Sequence, residues 1–304
     1  MTTPADARTR LVGLVGEGIS TSLTPPMHER EGARHGFAYV YRTIELTNAE
    51  SGVGALHALL ESARRLGFDG LNVTHPVKRT VMGALDRLAP SATAVGAVNT
   101  VLFTADGAVG HNTDVTGFAA SLSDAAAGRS FERAVLVGAG GAGCAVAAAL
   151  ADRGIARLTI VDEDTARAAE LADTATGVGE ATTRMPEDAE EALRGADLVI
   201  NATPVGMAHL PGCAIDVDLL SPTTFVADVV YRPVETELIT RARARGCTVM
   251  TGLGMAMHQA ADAFELFTSE TADRRAMLAD LTEMVAAEAA ATTAPAAPMK
   301  GQEQ

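Results

Sequence analysis

Ala134-Val-Leu-Val137 runs into Gly138-Ala-Gly140-Gly-Ala-Gly143 and then an alanine-rich stretch to Arg153, and this passage decides how the rest of the chain is read. Strand, G-x-G-x-x-G turn and helix follow in the order that gives the glycine motif meaning. Without side chains the turn can close tightly. Its backbone can then approach a pyrophosphate at the helix start, where free N–H groups and the dipole favour negative charge. Glycine clusters also make ordinary strand-to-helix turns, so the next strand matters. It ends in Val161-Asp162, roughly 20 residues beyond the last glycine, where an acid is placed to meet ribose hydroxyls. Gly138, Ala139, Gly140, Gly141, Ala142 and Asp162 are therefore expected to hold a dinucleotide. A carboxylate at that point accepts from the 2′- and 3′-hydroxyls and repels a 2′-phosphate, so NAD is expected over NADP. Arg167 complicates this, because an arginine near the strand end can hold a 2′-phosphate. In an NAD site it would stack on adenine or sit on the helix surface.

Outward from the glycine turn, residues 134–137, 157–161, 197–201, 224–228 and 248–250 read as strands, separated by helical stretches such as 142–153. Such a βαβ series implies a parallel sheet with right-handed crossovers. Upstream, 10–15, 39–44, 70–73 and 98–103 read as strands, and 56–66 and 79–88 as helices. Residues 255–267 and 271–291 are helical by pattern, and with no strands after them they are expected to return and pack on the first domain. The expected fold is α/β in two domains. One is a Rossmann, doubly wound parallel-sheet cofactor domain at 117–254. The other is an α/β substrate-binding domain at 1–116, completed by the C-terminal helices of 255–291. The tail, 292–304, is too poor in apolar periodicity to fold and is expected to be disordered.

Composition narrows the class. With 47% hydrophobic and 20% charged residues the chain is globular, and no apolar stretch reaches the ~18 residues of a membrane span. The polar start carries no signal-like segment, and Cys144, Cys213 and Cys247 form no CxxC, which points to a reducing, cytoplasmic setting. A net charge of −14 repels phosphate backbones and argues against nucleic-acid partners. His28, His35, His57, His75, His111, His209 and His258 lack HxxxH or HxH spacing, so no metal is expected. Nothing specifies an oligomeric state, and a homodimer stays open.

Four polar segments end or follow apolar strands in the first half: Ser22-Leu-Thr24-Pro25, Asn72-Val-Thr74-His75-Pro76-Val-Lys78, Gly96-Ala-Val-Asn99-Thr100, and Gly110-His-Asn112-Thr113-Asp114. Hydroxyl, amide and single charged groups without a charge run suit a small polyol bearing one anionic group. Each residue alone has a plain structural role open to it, as helix cap or turn. Together they resemble the shikimate dehydrogenase superfamily, and within it the NAD-using quinate/shikimate dehydrogenases, over the chain up to about Leu281. Asn201-Ala-Thr-Pro-Val-Gly-Met207, Asp228-Val-Val-Tyr-Arg-Pro233 and Gly252-Leu-Gly-Met-Ala-Met-His-Gln259 extend the likeness. The resemblance implies a catalytic pair, Lys78 and Asp114, which also touch a cyclitol carboxylate substrate held by Ser22, Thr24, Thr74, Asn99 and Gln259. It places Thr203, Val229 and Gly252 near the cofactor. Where NADP-linked biosynthetic members carry Ser-x-Ser and an Asn-Arg-Thr turn, this chain has Ser22-x-Thr24 and Asp162, which points to the quinate-using branch.

Oxidising a secondary alcohol requires an acceptor for the hydroxyl proton, and a neutral lysine serves. Lys78 lies two residues after Pro76 and is expected at a helix N-terminus, whose dipole disfavours positive charge. Asp114 is expected to orient lysine and hydroxyl. The competing readings are an NADP-linked biosynthetic shikimate dehydrogenase and an enzyme for an amino-substituted quinate or shikimate. From a different class comes a catalytically silent dinucleotide sensor, against which the presence of both Lys78 and Asp114 speaks.

Overall fold

The computed structural model describes residues 9–293. Two six-stranded sheets organise them. The first contains β1 (Thr9–Gly16), β2 (Ala38–Glu45), β3 (Gly70–Val73), β4 (Arg87–Leu88), β5 (Thr100–Thr104) and β6 (Gly107–His111), in the order β2-β1-β3-β5-β6-β4. β1 pairs in parallel with β2 and β3, whereas β5 runs antiparallel to both β3 and β6, so this sheet is mixed. Helices α1 (Thr24–Arg34), α2 (Val53–Arg65) and α3 (Pro90–Val95) belong to this part of the chain. Next, α4 (Thr113–Ala126) leads into the second sheet.

The second sheet holds β7 (Arg133–Val137), β8 (Arg157–Val161), β9 (Glu180–Arg184), β10 (Leu198–Asn201), β11 (Phe225–Asp228) and β12 (Thr248–Met250), all parallel. Their order, β12-β11-β10-β7-β8-β9, is the doubly wound Rossmann arrangement, with the switch between β7 and β10. β10 and β11 are buried at every position, as strands covered by helices on both faces must be. The connecting helices are α5 (Gly141–Asp152), α6 (Thr165–Thr174), α7 (Glu190–Gly195) and α8 (Glu237–Ala244).

The last two helices, α9 (Gly252–Thr268) and α10 (Arg274–Thr293), fold back onto the first sheet. Phe264, Phe267, Met277 and Leu281 join one buried cluster with Val12, Leu14, Met27, Tyr39 and Tyr41. α10 runs through Thr293, so Thr292 and Thr293 are helical rather than the start of a disordered tail, and 294–304 lie outside the described residues. Among the described residues no helix is long and apolar enough to cross a membrane.

The expected helix at 79–88 does not form. A five-residue 3-10 turn, Thr80–Ala84, gives way to extended backbone at Leu85 and to β4. The apolar spacing looks helical because Val77, Val81 and Ala84 all face one buried cluster. Pairing overrides it: the Asp86 N–H donates to the Ala108 carbonyl at 3.1 Å, and the Asp86 carboxylate accepts from the Ala108 N–H at 2.7 Å.

A fully buried histidine gives the fold an acid-sensitive point. His28 on α1 lies among Tyr39, Tyr41, Phe264 and Phe267, with one ring nitrogen bonded to Tyr39 Oη at 3.2 Å and the other unpartnered. Burial pushes its pKa down to about 3, so the native ring is neutral where the unfolded one is charged. Between roughly pH 6.5 and 3 the unfolded state therefore binds the extra proton, and this residue lowers stability by about 1.4 kcal/mol for each unit of falling pH. Denaturant titrations at pH 7.5, 6 and 5 should show a steeper acid loss for wild type than for His28→Leu. Parallel losses in the two proteins would remove His28 as the cause.

Candidate active site

The glycine turn occupies the switch point. Gly140 precedes α5 with no side-chain cap, which leaves the first N–H groups of that helix without a side-chain acceptor at its N-cap. Around Gly140 no protein atom would meet an added Cβ within 4 Å. At Gly143 an added Cβ would lie 2.0 Å from the Gly138 carbonyl oxygen, so helix and turn touch backbone to backbone. A turn open on one side and crowded on the other fits a pyrophosphate cradle. Asp162, at the end of β8, accepts from the Ala139 N–H at 2.7 Å and from the Asp164 N–H at 2.8 Å, which fixes its carboxylate against the turn. Thr203 packs beside Gly138, and Gly252 sits hard against the Val229 and Val230 backbone. Arg167 stands apart: it is exposed and paired with Asp164, which also caps α6.

On the other side of the turn lies a cleft of about 540 Å³. Ser22, Thr24, Thr74, Lys78, Asn99, Asp114 and Gln259 all line it, with Ala142 from the start of α5 and Val229 from the loop after β11. Lys78 Nζ donates to Asp114 Oδ2 at 2.7 Å, and both side chains are largely buried. The lysine stem passes beneath the glycine turn, 3.8 Å from where a Cβ on Gly141 would stand. Lys78 is not at the N-terminus of a helix in its own segment; it sits in the turn before the 3-10 segment, and the helix start it lies against is that of α5, at Gly141.

Local structure places the partners. Asn112 caps α4 by accepting from the Asp114 N–H at 3.0 Å, which sets Asp114 in the first helical turn. One turn further on, Gly117 lets α9 approach so closely that an added Cβ would lie 2.9 Å from Gln259 Cβ. That crossing carries Gln259 to the same cleft. Its neighbour His258 points away and pairs with Asp124 at 3.0 Å. Ser22 Oγ accepts from the Thr24 N–H at 3.3 Å, holding the two hydroxyls on one short loop.

Several cleft residues escaped the reading of the sequence, among them Tyr231, Arg232, Met207 and His209. Tyr231 and Arg232 lie in the Asp228-Val-Val-Tyr-Arg-Pro233 block, from which only Val229 was singled out. Arg232 donates to the Thr21 carbonyl at 2.8 Å and to Glu288 on α10 at 2.7 Å. It thereby ties the loop after β11 to the loop that carries Ser22.

A glycine turn shaped for a dinucleotide, opening onto a paired lysine and carboxylate in a polar cleft, defines an NAD(P)-dependent dehydrogenase that acts on an alcohol. Residues 14–101 match the family described as shikimate dehydrogenase substrate binding domain, 122–210 shikimate/quinate 5-dehydrogenase, and 252–281 shikimate 5′-dehydrogenase C-terminal domain. The chain belongs to the shikimate/quinate dehydrogenase family. It is 50% identical over 277 residues, covering 90% of this chain and 95% of the relative, to a shikimate dehydrogenase (NADP(+)) of Streptomyces avermitilis. A quinate/shikimate dehydrogenase (NAD(+)) of Corynebacterium glutamicum is 46% identical over 262 residues, 85% of this chain and 93% of the relative. Among solved structures, quinate dehydrogenase from C. glutamicum in complex with NAD superposes with a TM-score of 0.84 at 44% identity, covering 91% of this chain and 99% of that one.

Proposed function

We propose that this dehydrogenase uses NAD to oxidise the ring hydroxyl of quinate and shikimate, reversibly, giving 3-dehydroquinate and 3-dehydroshikimate. The observation that carries the reading is the 2.7 Å Lys78–Asp114 bond, set in a cleft with hydroxyl and amide groups on one wall and the glycine turn on the other. Of the described residues, those up to 116 with 255–291 form the substrate-binding part and 117–254 the cofactor part, residues 1–8 lying outside the described ones. Bound nicotinamide supplies the hydride acceptor. Lys78, in its neutral form, takes the hydroxyl proton as the carbonyl forms, and Asp114 holds both the lysine and the hydroxyl in line. Asn99, Thr74 and Gln259 orient the remaining ring hydroxyls, while Ser22 and Thr24 receive the carboxylate on neutral O–H donors. Gly140, Gly141 and Ala142 offer backbone N–H groups to the pyrophosphate, while the Ala139 N–H holds Asp162 beside them.

Asp162 is the reason for choosing NAD. Its carboxylate is pinned beside the turn by two backbone N–H groups, so a 2′-phosphate would meet a fixed negative charge. The Streptomyces relative is named for NADP, and Arg167, in the first turn of α6, is a cation on the side of the turn where a 2′-phosphate would be held. Assays of quinate and shikimate against NAD and NADP decide between the two. Wild type should show kcat/KM at least about tenfold higher with NAD, and Asp162→Ser should shrink that ratio by a similar factor. A wild-type preference for NADP would overturn the assignment.

A further inference from the structure

Asp114 is the end of a buried hydrogen-bond chain that begins three strands away. Tyr41 Oη on β2 donates to Asn72 Oδ1 at 2.6 Å. Asn72 Nδ2 donates to Thr100 Oγ1 at 3.0 Å and to the Asn99 carbonyl at 3.3 Å. Thr100 Oγ1 donates to Asn99 Oδ1 at 3.0 Å, and Asn99 Nδ2 donates to Asp114 Oδ1 at 3.0 Å. Every member is buried, from 0% exposure at Thr100 to 7% at Asp114, so no link can be replaced cheaply by bulk water.

The direction of the chain is settled at two places by backbone groups that have only one role. The Asn99 carbonyl can only accept, so Asn72 must turn its NH₂ toward it and its oxygen toward Tyr41. The Thr113 N–H can only donate, and it donates to Asn99 Oδ1 at 2.8 Å, so the Asn99 NH₂ must face Asp114. Thr100, receiving from Asn72, gives its own proton to Asn99. The result is a carboxylate that accepts from Asn99 on one oxygen and from Lys78 on the other.

We infer that Tyr41, Asn72 and Thr100 are positioning residues which, through Asn99, hold Asp114 ionised and aimed at Lys78 during turnover. Asn72 also lines the cleft, whereas Tyr41 and Thr100 do not and act without touching substrate. The register of the sheet builds the chain, since Asn72 on β3 stands opposite Thr100 on β5. Besides Lys78, the titratable groups around it are His111, opposite Thr100, and His28, against the Tyr41 ring. Burial pushes both toward the neutral form, so neither brings a positive charge to the chain.

The inference rests on the proposed roles of Lys78 and Asp114, and the test uses whichever ring acid the wild-type enzyme turns over. Thr100→Val keeps the shape and removes the hydroxyl. It should lower kcat about fivefold or more, with KM for the acid changed less than about twofold. The acid limb of the kcat–pH profile should move to higher pH, because Asn99 keeps its bond to Asp114 but, without the Thr100 proton on its oxygen, is a weaker donor to the charged carboxylate. Thr100→Ser should restore both. Tyr41→Phe, four links from Asp114, should move the same limb in the same direction. A folded Thr100→Val enzyme with wild-type kcat and profile would overturn the inference, as would failure of serine to rescue. Should Lys78→Ala abolish turnover while Thr100→Val does nothing, the catalytic pair stands and only the chain falls.

Discussion

Lys78→Ala should lower kcat by about a hundredfold or more while leaving NAD affinity nearly unchanged. The geometry separates the two effects. Nζ reaches Asp114 and the cleft, whereas the turn meets only the lysine stem, and the backbone N–H groups at the start of α5 belong to residues that do not depend on it. Truncation removes the proton acceptor and leaves Asp114 with Asn99 as its remaining side-chain partner in the cleft. Single-turnover kinetics with quinate or shikimate, beside a direct NAD titration, read the two quantities independently. Near-normal turnover in this variant would take the reaction away from Lys78. Loss of NAD binding equal to the loss of turnover would make the lysine a structural support for the turn.

Gly143→Ala should damage cofactor binding and stability together. The added methyl would lie 2.0 Å from the Gly138 oxygen and 3.0 Å from its carbonyl carbon, and both are backbone atoms that no rotamer change can move. Either the start of α5 or the turn must shift by an ångström or so. Such a displacement costs about a hundredfold in a preorganised site, and crowding of this kind costs about 1–3 kcal/mol of stability. Gly140→Ala makes the comparison sharp. Its new methyl meets nothing within the protein, so melting temperature should hold while NAD affinity falls. Equal NAD affinity in wild type and Gly143→Ala would refute the close-packed turn.

These residues differ in how they could be found. β7, β8, β10 and β11 were legible because strands buried on both faces are written as short β-branched runs, and the glycine turn follows one of them directly. β9, Glu-Ala-Thr-Thr-Arg, gives no such signal because it is a half-exposed edge strand. β6 begins and nearly ends in glycine and exists through its antiparallel pairing with β5, a non-local fact. Residues 79–88 misled for the related reason that one buried cluster can impose helix-like spacing on a turn and a strand. In the site, Lys78, Asp114 and the glycine turn stand in recognisable motifs. Tyr41 and Thr100 do not announce a role in theirs, because sheet register alone brings them to Asn72.

The return of α9 and α10 to the first sheet also has a cost in time. β1 and α1 leave the ribosome well before the helices that cover them. Val12, Leu14, Met27 and Tyr39 must wait for Phe264, Met277 and Leu281 before their cluster is complete. At about 5–20 residues per second that interval is on the order of ten to fifty seconds. Throughout it the nascent chain presents an unfinished apolar face that only its own later-made α9 and α10, or a chaperone in their place, can shield.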